Sequence, residues 1–582
     1  MRKGSYETLI VDLGVWAVFQ RGGTEKEARG LLCSHYTAQT DRLTRRGMAC
    51  LKDLCGLLWV STLFFAFCPP SAEAGKILVF PVDGSHWINM KLIIEGLHAR
   101  GHEVTVVRTA TSWYVKEESP HYKSITVTLP KGVIIEDPDF FVSFLSKMLE
   151  IQRSGRTPLA FMKFYWEMLS SLRDIHWQAS QLVVKMFENH TLMEELRATR
   201  YDVALIDPGT PAGVLVAHKL GLPVVFNVRW VTSGEGHFLV APSPISYVPT
   251  SGCAVSNQMT FGERVKNAFH YVLNMCIDRF IVSPPYDVLM ARYFGPDANF
   301  YHLLQNADLW LMRVDFIFEF PRPTMPNIVY IGGFQCKPAK PLPAELQEFV
   351  DGSGEHGIIV MSLGTLVKGL PIDITSEIAA AFAQLPQRVI WRHLGERPNN
   401  LGNNTLLVKW LPQNDLLGHP KTRLFVAHGG TNGVYESIYH GVPMLGVPLL
   451  FDQFENFLRL EVRGAAKALD VSKLNRQTFL KAIQDVLHQP SYRDNMQRLS
   501  RLHRDKPMHP LDSAIYWIEF VMRHKGAVHL RTESYKMPWY SYHSLDVLGF
   551  LLAVILALFG AVILMIRFFC LRIYRRQKSK VE

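Results

Sequence analysis

Hydrophobic residues in this chain fall into short unbroken runs. Each is followed by a turn rich in glycine or proline, then by a stretch with apolar residues three and four apart. The first run, KILVFPV, starts after Gly75. The turn Asp83-Gly84-Ser85-His86 follows, then a helical pattern over 87–99 closed at Gly101, then HEVTVVR. Unbroken apolar runs mark strands buried on both faces, and strand-turn-helix-strand is the βαβ unit of a parallel sheet. The unit recurs in YDVALID, a turn at 208–211, a helix over 212–220 closed by Gly221, and LPVVFNV. After KPAKPLP (337–343), which reads as a linker, the rhythm restarts with GIIVMSLGT, RVIWRH, LLVKW and a strand at 423–427. The pattern predicts two Rossmann-like α/β domains, 75–336 and 344–530.

Other hydrophobic stretches have different meanings. FFVSFLSKMLE and PLAFMKFYWEMLSSL, within 140–180, read as helices with wide apolar faces. They suit a domain core, a pocket for apolar molecules, or a face leaning on a bilayer. Residues 547–566 carry no charge for twenty positions, enough to span a membrane. Arg567, Arg572, Arg575, Arg576, Lys578 and Lys580 follow, so the tail 567–582 is expected on the cytosolic side and the body in the lumen. Met48 opens a leader, 48–74, with an apolar run and a small-x-small site before Gly75. The competing reading of that run is an uncleaved signal anchor. Residues 1–47 show no periodicity and are an extension of uncertain status.

At 582 residues the chain exceeds one core. Its net charge of +10 sits largely outside the body: residues 1–47 carry +3, 48–74 carry −1 and 567–582 carry +5, leaving +3 over 75–566. So neutral a body offers no basic stripe for nucleic acid. Three of the eight cysteines, Cys253, Cys276 and Cys336, lie in the body, with no spacing of a zinc site. Asp137-Pro138-Asp139 has the look of a D-x-D metal motif but sits in a proline loop, and no metal is expected. Asn189 and Asn403 head glycosylation sequons, usable if the body is lumenal.

The densest chemistry lies in residues 410–453, WLPQNDLLGHPKTRLFVAHGGTNGVYESIYHGVPMLGVPLLFDQ. A strand breaks at Gly429-Gly430 into a helix, with Thr431 or Asn432 as the expected N-cap. Free amides and the positive helix end there suit an anion. Glu436, one turn after Asn432, can accept from vicinal sugar hydroxyls, and Trp410 offers a flat face for a base. Strand-Gly-Gly-helix alone is also common packing. Ser362-Leu363-Gly364-Thr365 is a second small-residue turn after a strand. In open parallel sheets ligands lie beyond the strands' carboxyl ends, where both His86 and Asp207 fall. In isolation, His86 reads as a helix cap and Asp207 as a turn cap.

The 44-residue stretch resembles the signature of the UDP-glycosyltransferases, most closely the vertebrate UDP-glucuronosyltransferases. That resemblance implies the GT-B arrangement, two Rossmann-like domains facing across a cleft, with the last helix, about 511–524, returning to the first domain. It implies that Trp410 stacks on uracil beside Gln413, and that His428, Gly430, Thr431 and Gly433 hold the diphosphate with Ser362, Gly364 and Thr365 nearby. Asn432 would contact phosphate and sugar, Glu436 the ribose, and Asp452 with Gln453 the transferred sugar. His86 would be the general base and Asp207 its partner in an inverting, metal-independent transfer needing no cofactor beyond the co-substrate UDP-glucuronate. A lipophilic acceptor is expected, and Phe451, bulky where many relatives are small, leaves glucose, galactose or N-acetylglucosamine open as donor sugars. A binding protein without turnover is the alternative from another class. The KSKVE ending resembles a dilysine retrieval signal, implying an endoplasmic reticulum membrane protein.

Overall fold

A computed structural model describes residues 74–129, 138–155, 157–229, 236–365, 367 and 369–579. The expected leader and extension, apart from Ala74, lie outside these residues, as do Asp137 and Lys580. Two compact units divide the chain, 1–74 and 75–582, and the second contains both sheets and the site between them.

Its apolar runs form two sheets in which every strand pair is parallel. The front sheet comprises β1 (Lys76–Phe80), β2 (Glu103–Thr109), β3 (Lys123–Val127), β4 (Val203–Ile206), β5 (Val224–Val228), β6 (Leu309–Met312) and β7 (Ile328–Tyr330). Their spatial order is β3-β2-β1-β4-β5-β6-β7. The back sheet comprises β8 (Ile358–Ser362), β9 (Arg388–Arg392), β10 (Thr405–Val408), β11 (Thr422–Ala427), β12 (Met444–Gly446) and β13 (Ala466–Ala468). It is ordered β10-β9-β8-β11-β12-β13. In each sheet the strand order reverses once, between β1 and β4 and between β8 and β11. Such a switch point opens a crevice at the strands' carboxyl ends.

Alternation along the strands explains why they are apolar throughout. Leu78, Phe80, Ala204 and Ile206 face one core, while Ile77, Val79, Val203 and Leu205 face another. The back sheet divides likewise, with Ile359, Met361 and Val426 on one side and Ile358, Val360 and Phe425 on the other.

The aromatic stretches are helices, Pro138–Arg153 and Pro158–Glu188. The first does not pack where its place in the chain suggests. Phe144, Leu145, Met148 and Leu149 belong to the core that also holds Ile359 and Met361 of the back sheet. Amphipathic spacing fixes which face a helix buries but not the partner it buries against. Helix Pro510–His524 makes the reverse crossing, closing the front core with Ile515, Ile518 and Val521 over Trp87 and Met90. Salt bridges from Arg100 to Asp512 and Glu519, 3.1 and 3.2 Å, border that contact.

Helix Leu545–Lys578 is apolar and exposed, and long enough to cross a membrane. Its 34 residues span about 50 Å, more than a hydrocarbon core of roughly 30 Å, so its basic end projects beyond the apolar layer. Asn189 and Asn403 are both exposed. The Asn189 carboxamide oxygen also caps helix His190–Thr199, accepting from the Leu192 amide. Cys253, Cys276 and Cys336 are free thiols.

Candidate active site

β1 and β4 are neighbours, with Phe80 paired to Ile206, so the turns that follow them meet. The first carries His86 into the opening turn of helix Ser85–Ala99; the second carries Asp207. His86 Nδ1 and Asp207 Oδ2 lie 2.8 Å apart, and the Gly209 amide donates to Asp207 Oδ1 at 2.9 Å. Asp207 is wholly buried. Burial raises its carboxyl, but His86, Arg313 and the Gly209 amide outweigh burial and hold it below the usual carboxylate range. The aspartate is therefore ionised, and Nδ1–H is the tautomer it favours. That makes Nε2 the basic nitrogen of His86.

The back sheet builds the facing wall by the same rule. Ser362 at the end of β8 pairs with Ala427 at the end of β11, bringing 362–365 against 428–430. The approach is close. A side chain at Gly364 would place its Cβ 2.6 Å from His428 Cε1, and the backbone there has φ +82°. Gly429, at φ +93°, makes the bend into helix Thr431–His440. The N-cap is Gly430, not Thr431 or Asn432, and no side chain caps the helix. Two glycines complete the turn before a polar side chain can fold back, which keeps the amides available to an anion. Burial pushes the His428 imidazole down to about 4, so it stands neutral at pH 7.

Farther along that helix, Glu436 accepts from Gln413 Nε2 at 2.5 Å. Burial pushes its carboxyl up to about 7, against the Gln413 hydrogen bond and Lys337. Trp410 is 63% exposed, an uncommon state for tryptophan, with the Arg392 guanidinium 5.7 Å from its ring centroid. Arg392 also donates to the Gly364 carbonyl at 2.5 Å, tying the Trp410 face to the 362–365 turn. Gln453 Oε1 accepts from the Leu449 and Leu450 amides and so fixes the loop that presents Asp452.

One cavity of about 370 Å³ is lined by His86, Ser362, Gly364, Thr365, Trp410, Gln413, His428, Gly430, Thr431, Asn432, Gly433, Glu436, Asp452 and Gln453. Of the expected chemical residues only Asp207 is absent from the lining, because it stands behind His86. Polar contacts also join the front and back halves beside the cavity. Asn89 Nδ2 donates to Asn432 Oδ1 at 2.5 Å, and Arg229 pairs with Asp452.

Sequence reasoning missed Asn89 and three arginines. Arg229 directly follows β5, Arg313 directly follows β6 and Arg392 ends β9. The strand-end rule that singled out His86 and Asp207 points to all three arginines. Arg313 donates to the His86 carbonyl at 3.4 Å, and burial lowers its guanidinium to about 10, still charged at neutral pH. Thr365 Oγ1, Arg313 Nε and Arg392 Nε are buried polar atoms without a partner among the described residues. The cavity can therefore hold a flat base on Trp410, an anion at the glycine turns and a polyol near Asp452, with a basic imidazole opposite.

Comparison with known proteins fits that chemistry. The family model described as UDP-glucoronosyl and UDP-glucosyl transferase matches residues 75–581. The chain belongs to this family. UDP-glucuronosyltransferase 2A2 of Mus musculus is 43% identical over 509 residues, 86% of this chain and 94% of the mouse protein. UDP-glucuronosyltransferase 2B15 of Homo sapiens is 41% identical over 519 residues, 88% and 95% of the two chains. Among solved structures, the calicheamicin glycosyltransferase CalG4 superposes with a TM-score of 0.51 at 16% identity, covering 78% of this chain and 99% of its own. Spinosyn forosaminyltransferase SpnP gives 0.51 at 15%, covering 77% and 100%. The fold is the GT-B fold of glycosyltransferases, and the protein is a glycosyltransferase of the UDP-glucuronosyltransferase type carrying a candidate membrane helix.

Proposed function

We propose that this UDP-glucuronosyltransferase relative transfers glucuronic acid from UDP-glucuronate to a hydroxyl of a small lipophilic acceptor, with inversion and without a metal. The observation that carries the reading is that His86, backed by Asp207 at 2.8 Å, lines the same cavity as the glycine turns and Trp410. His86 Nε2 takes the acceptor proton as the oxygen attacks the anomeric carbon, and UDP departs from the opposite face. Asp207 offsets the charge gained by the imidazole. Neutral His428 and the amides from Gly430 onward donate to the departing diphosphate, and Arg392 supplies positive charge beside them. Residues 75–336 bind the acceptor and 344–530 the donor. Trp410 and Gln413 hold uracil, Glu436 the ribose, and Asn432, Asp452 and Gln453 the sugar side of the donor.

Glucuronate is favoured over a neutral hexose by Arg229 and Arg313, two cations beside Asp452 that suit a carboxylate on the sugar. Basic residues after the apolar helix favour a cytosolic tail and a lumenal body in the endoplasmic reticulum membrane, which would expose Asn189 and Asn403 to glycosylation. The test uses microsomes carrying the full chain, radiolabelled UDP-glucuronate, UDP-glucose, UDP-galactose and UDP-N-acetylglucosamine, and a panel of phenols. Turnover with UDP-glucuronate that vanishes in His86→Ala, while UDP still binds, is the expected result. Unchanged turnover in that variant removes His86 from the role. UDP binding with no turnover of any donor makes the protein a binder.

A further inference from the structure

The loop that presents Asp452 takes an unusual backbone shape one residue earlier. Phe451 has φ +57°. Positive φ crowds the side chain of any residue but glycine, and for a bulky one it is an outlier. Five non-glycine residues among the described ones share the sign. Two of them, Arg200 and Lys525, close helices, a familiar use of that angle. Of the five, only Phe451 lines the main cavity. Glycine would take the angle without strain, so what the strain retains is a ring in the cavity wall.

That ring has a backing. Phe144, from helix Pro138–Arg153 of the front half, lies nearly parallel to it, with ring centroids 6.3 Å and planes 15° apart. About two turns farther along the same helix, Gln152 Nε2 donates to the Leu449 carbonyl at 3.4 Å, so the helix fastens the loop at two points. From the loop's own side, Gln453 Oε1 accepts from the Leu449 and Leu450 amides. Phe144 is buried, whereas Phe451 is 49% exposed and shares the cavity wall with Phe144, Met168 and Leu172. Its chain neighbour, Asp452, is the residue assigned to the transferred sugar. A supported, half-exposed ring therefore stands beside the sugar loop, on the apolar side of the cavity.

We propose that Phe451 determines acceptor specificity: it is a platform on which a flat aromatic ring stacks while the acceptor hydroxyl meets His86. The preferred acceptors are then phenols and alcohols whose aromatic ring lies within one or two bonds of the nucleophilic oxygen. Aromatic rings in an offset stack attract each other beyond what their buried area supplies. A saturated ring of the same size is puckered and keeps only the area contribution. Because Phe144 and Gln453 already hold the platform, little freedom remains to be lost on binding. This inference deepens the acceptor reading given above and rests on it.

The test compares benzyl alcohol with cyclohexylmethanol as acceptors, using the full-length enzyme and UDP-glucuronate. Both are primary alcohols on rings of the same size, one flat and one puckered. Cyclohexylmethanol has the larger apolar surface, so a pocket that merely excludes water favours it. The wild type is expected to favour benzyl alcohol about fivefold in kcat/KM. In Phe451→Leu, which keeps apolar bulk without a flat face, the preference disappears. Phe451→Gly removes the ring and the backbone strain together, so it keeps the fold even where the leucine variant does not, and its preference disappears as well. Melting temperature and UDP affinity report the fold. A wild type with no preference for benzyl alcohol overturns the proposal, as does a fivefold preference that survives in Phe451→Gly. A changed ratio of UDP-glucuronate to UDP-glucose turnover in that variant, with the alcohol preference intact, also overturns it and turns the ring toward the donor sugar. Loss of both alcohols as substrates in His86→Ala, beside an unaltered preference in Phe451→Gly, leaves the base assignment standing and removes the platform alone.

Discussion

Replacing Asp207 by asparagine keeps size and shape, and the structure dictates how it fails. The Gly209 amide donates to Asp207 Oδ1 at 2.9 Å, so in D207N the carboxamide oxygen takes the Oδ1 place and the NH2 group faces His86 Nδ1. An amide that donates to Nδ1 selects the imidazole tautomer with its proton on Nε2. The nitrogen meant to accept the substrate proton then already carries one. The lost electrostatics can be sized. A carboxylate 2.8 Å from an imidazolium is worth about 6 kcal/mol at an effective dielectric near 20. Arg313, which already offsets the Asp207 charge, reduces this, and about 4 kcal/mol of transition-state stabilisation corresponds to roughly a thousandfold in kcat. The D207A enzyme should fare better than D207N, because a water can take the vacated place without imposing the wrong tautomer. The assay is steady-state glucuronidation of a phenol by detergent-solubilised enzyme, with UDP affinity by calorimetry as the control. A D207N enzyme within threefold of wild-type kcat, or one clearly faster than D207A, would refute the reasoning.

The Glu436 carboxyl, raised by burial to about 7, gives a pH signature. Hydroxyls of a ribose donate to its ionised form, so the donor KM should fall about tenfold from pH 6 to pH 8, with proton release on binding, and E436Q should flatten the profile. The same shift penalises folding as pH rises from the ordinary 4.5 through 7, since the folded chain then holds a proton that the unfolded chain has lost; E436Q should therefore melt higher than wild type at pH 8. Gly364→Ala forces a Cβ to within 2.6 Å of His428 at a backbone angle unfavourable to alanine, and should weaken UDP binding at least tenfold in a titration while the front half stays folded. Arg229→Leu should lower kcat/KM for UDP-glucuronate at least tenfold more than for UDP-glucose, and an equal fall for both would return the uronate preference to other residues.

The parts of the site that could be read from sequence are those carried by one continuous segment or by a strand end with an obvious turn. Residues 410–453 hold the base platform, the glycine bend and the sugar loop together, and their order alone suggests an anion site. His86 and Asp207 follow strands whose apolar runs are unmistakable. Arg229, Arg313 and Arg392 also stand at strand ends, where the same rule reaches them, but no motif around them marks them out; Asn89 was illegible for a different reason. It is an ordinary polar residue whose relevance arises only when the two sheets face each other and it meets Asn432, just as Arg229 gains its partner Asp452 only across that gap. The host of helix Pro138–Arg153 was equally hidden, because periodicity identifies an apolar stripe and is silent about which sheet receives it. The misplaced N-cap has a local cause: Gly429 and Gly430 absorb the bend one residue earlier than a side-chain cap would.

Helix Pro510–His524 has a bearing on how the molecule is made. Ile515 fits against Gly96 so closely that a methyl group there would lie 2.4 Å from Ile515 Cδ1, and Met522 covers Gly75 in the same way. The earliest strand and helix of the front sheet to leave the ribosome therefore wait, one flank bare, until nearly the last of the chain emerges. Any product stopped short of residue 510 carries that greasy flank uncovered, a mark by which a chaperone or protease can tell an unfinished chain from a finished one.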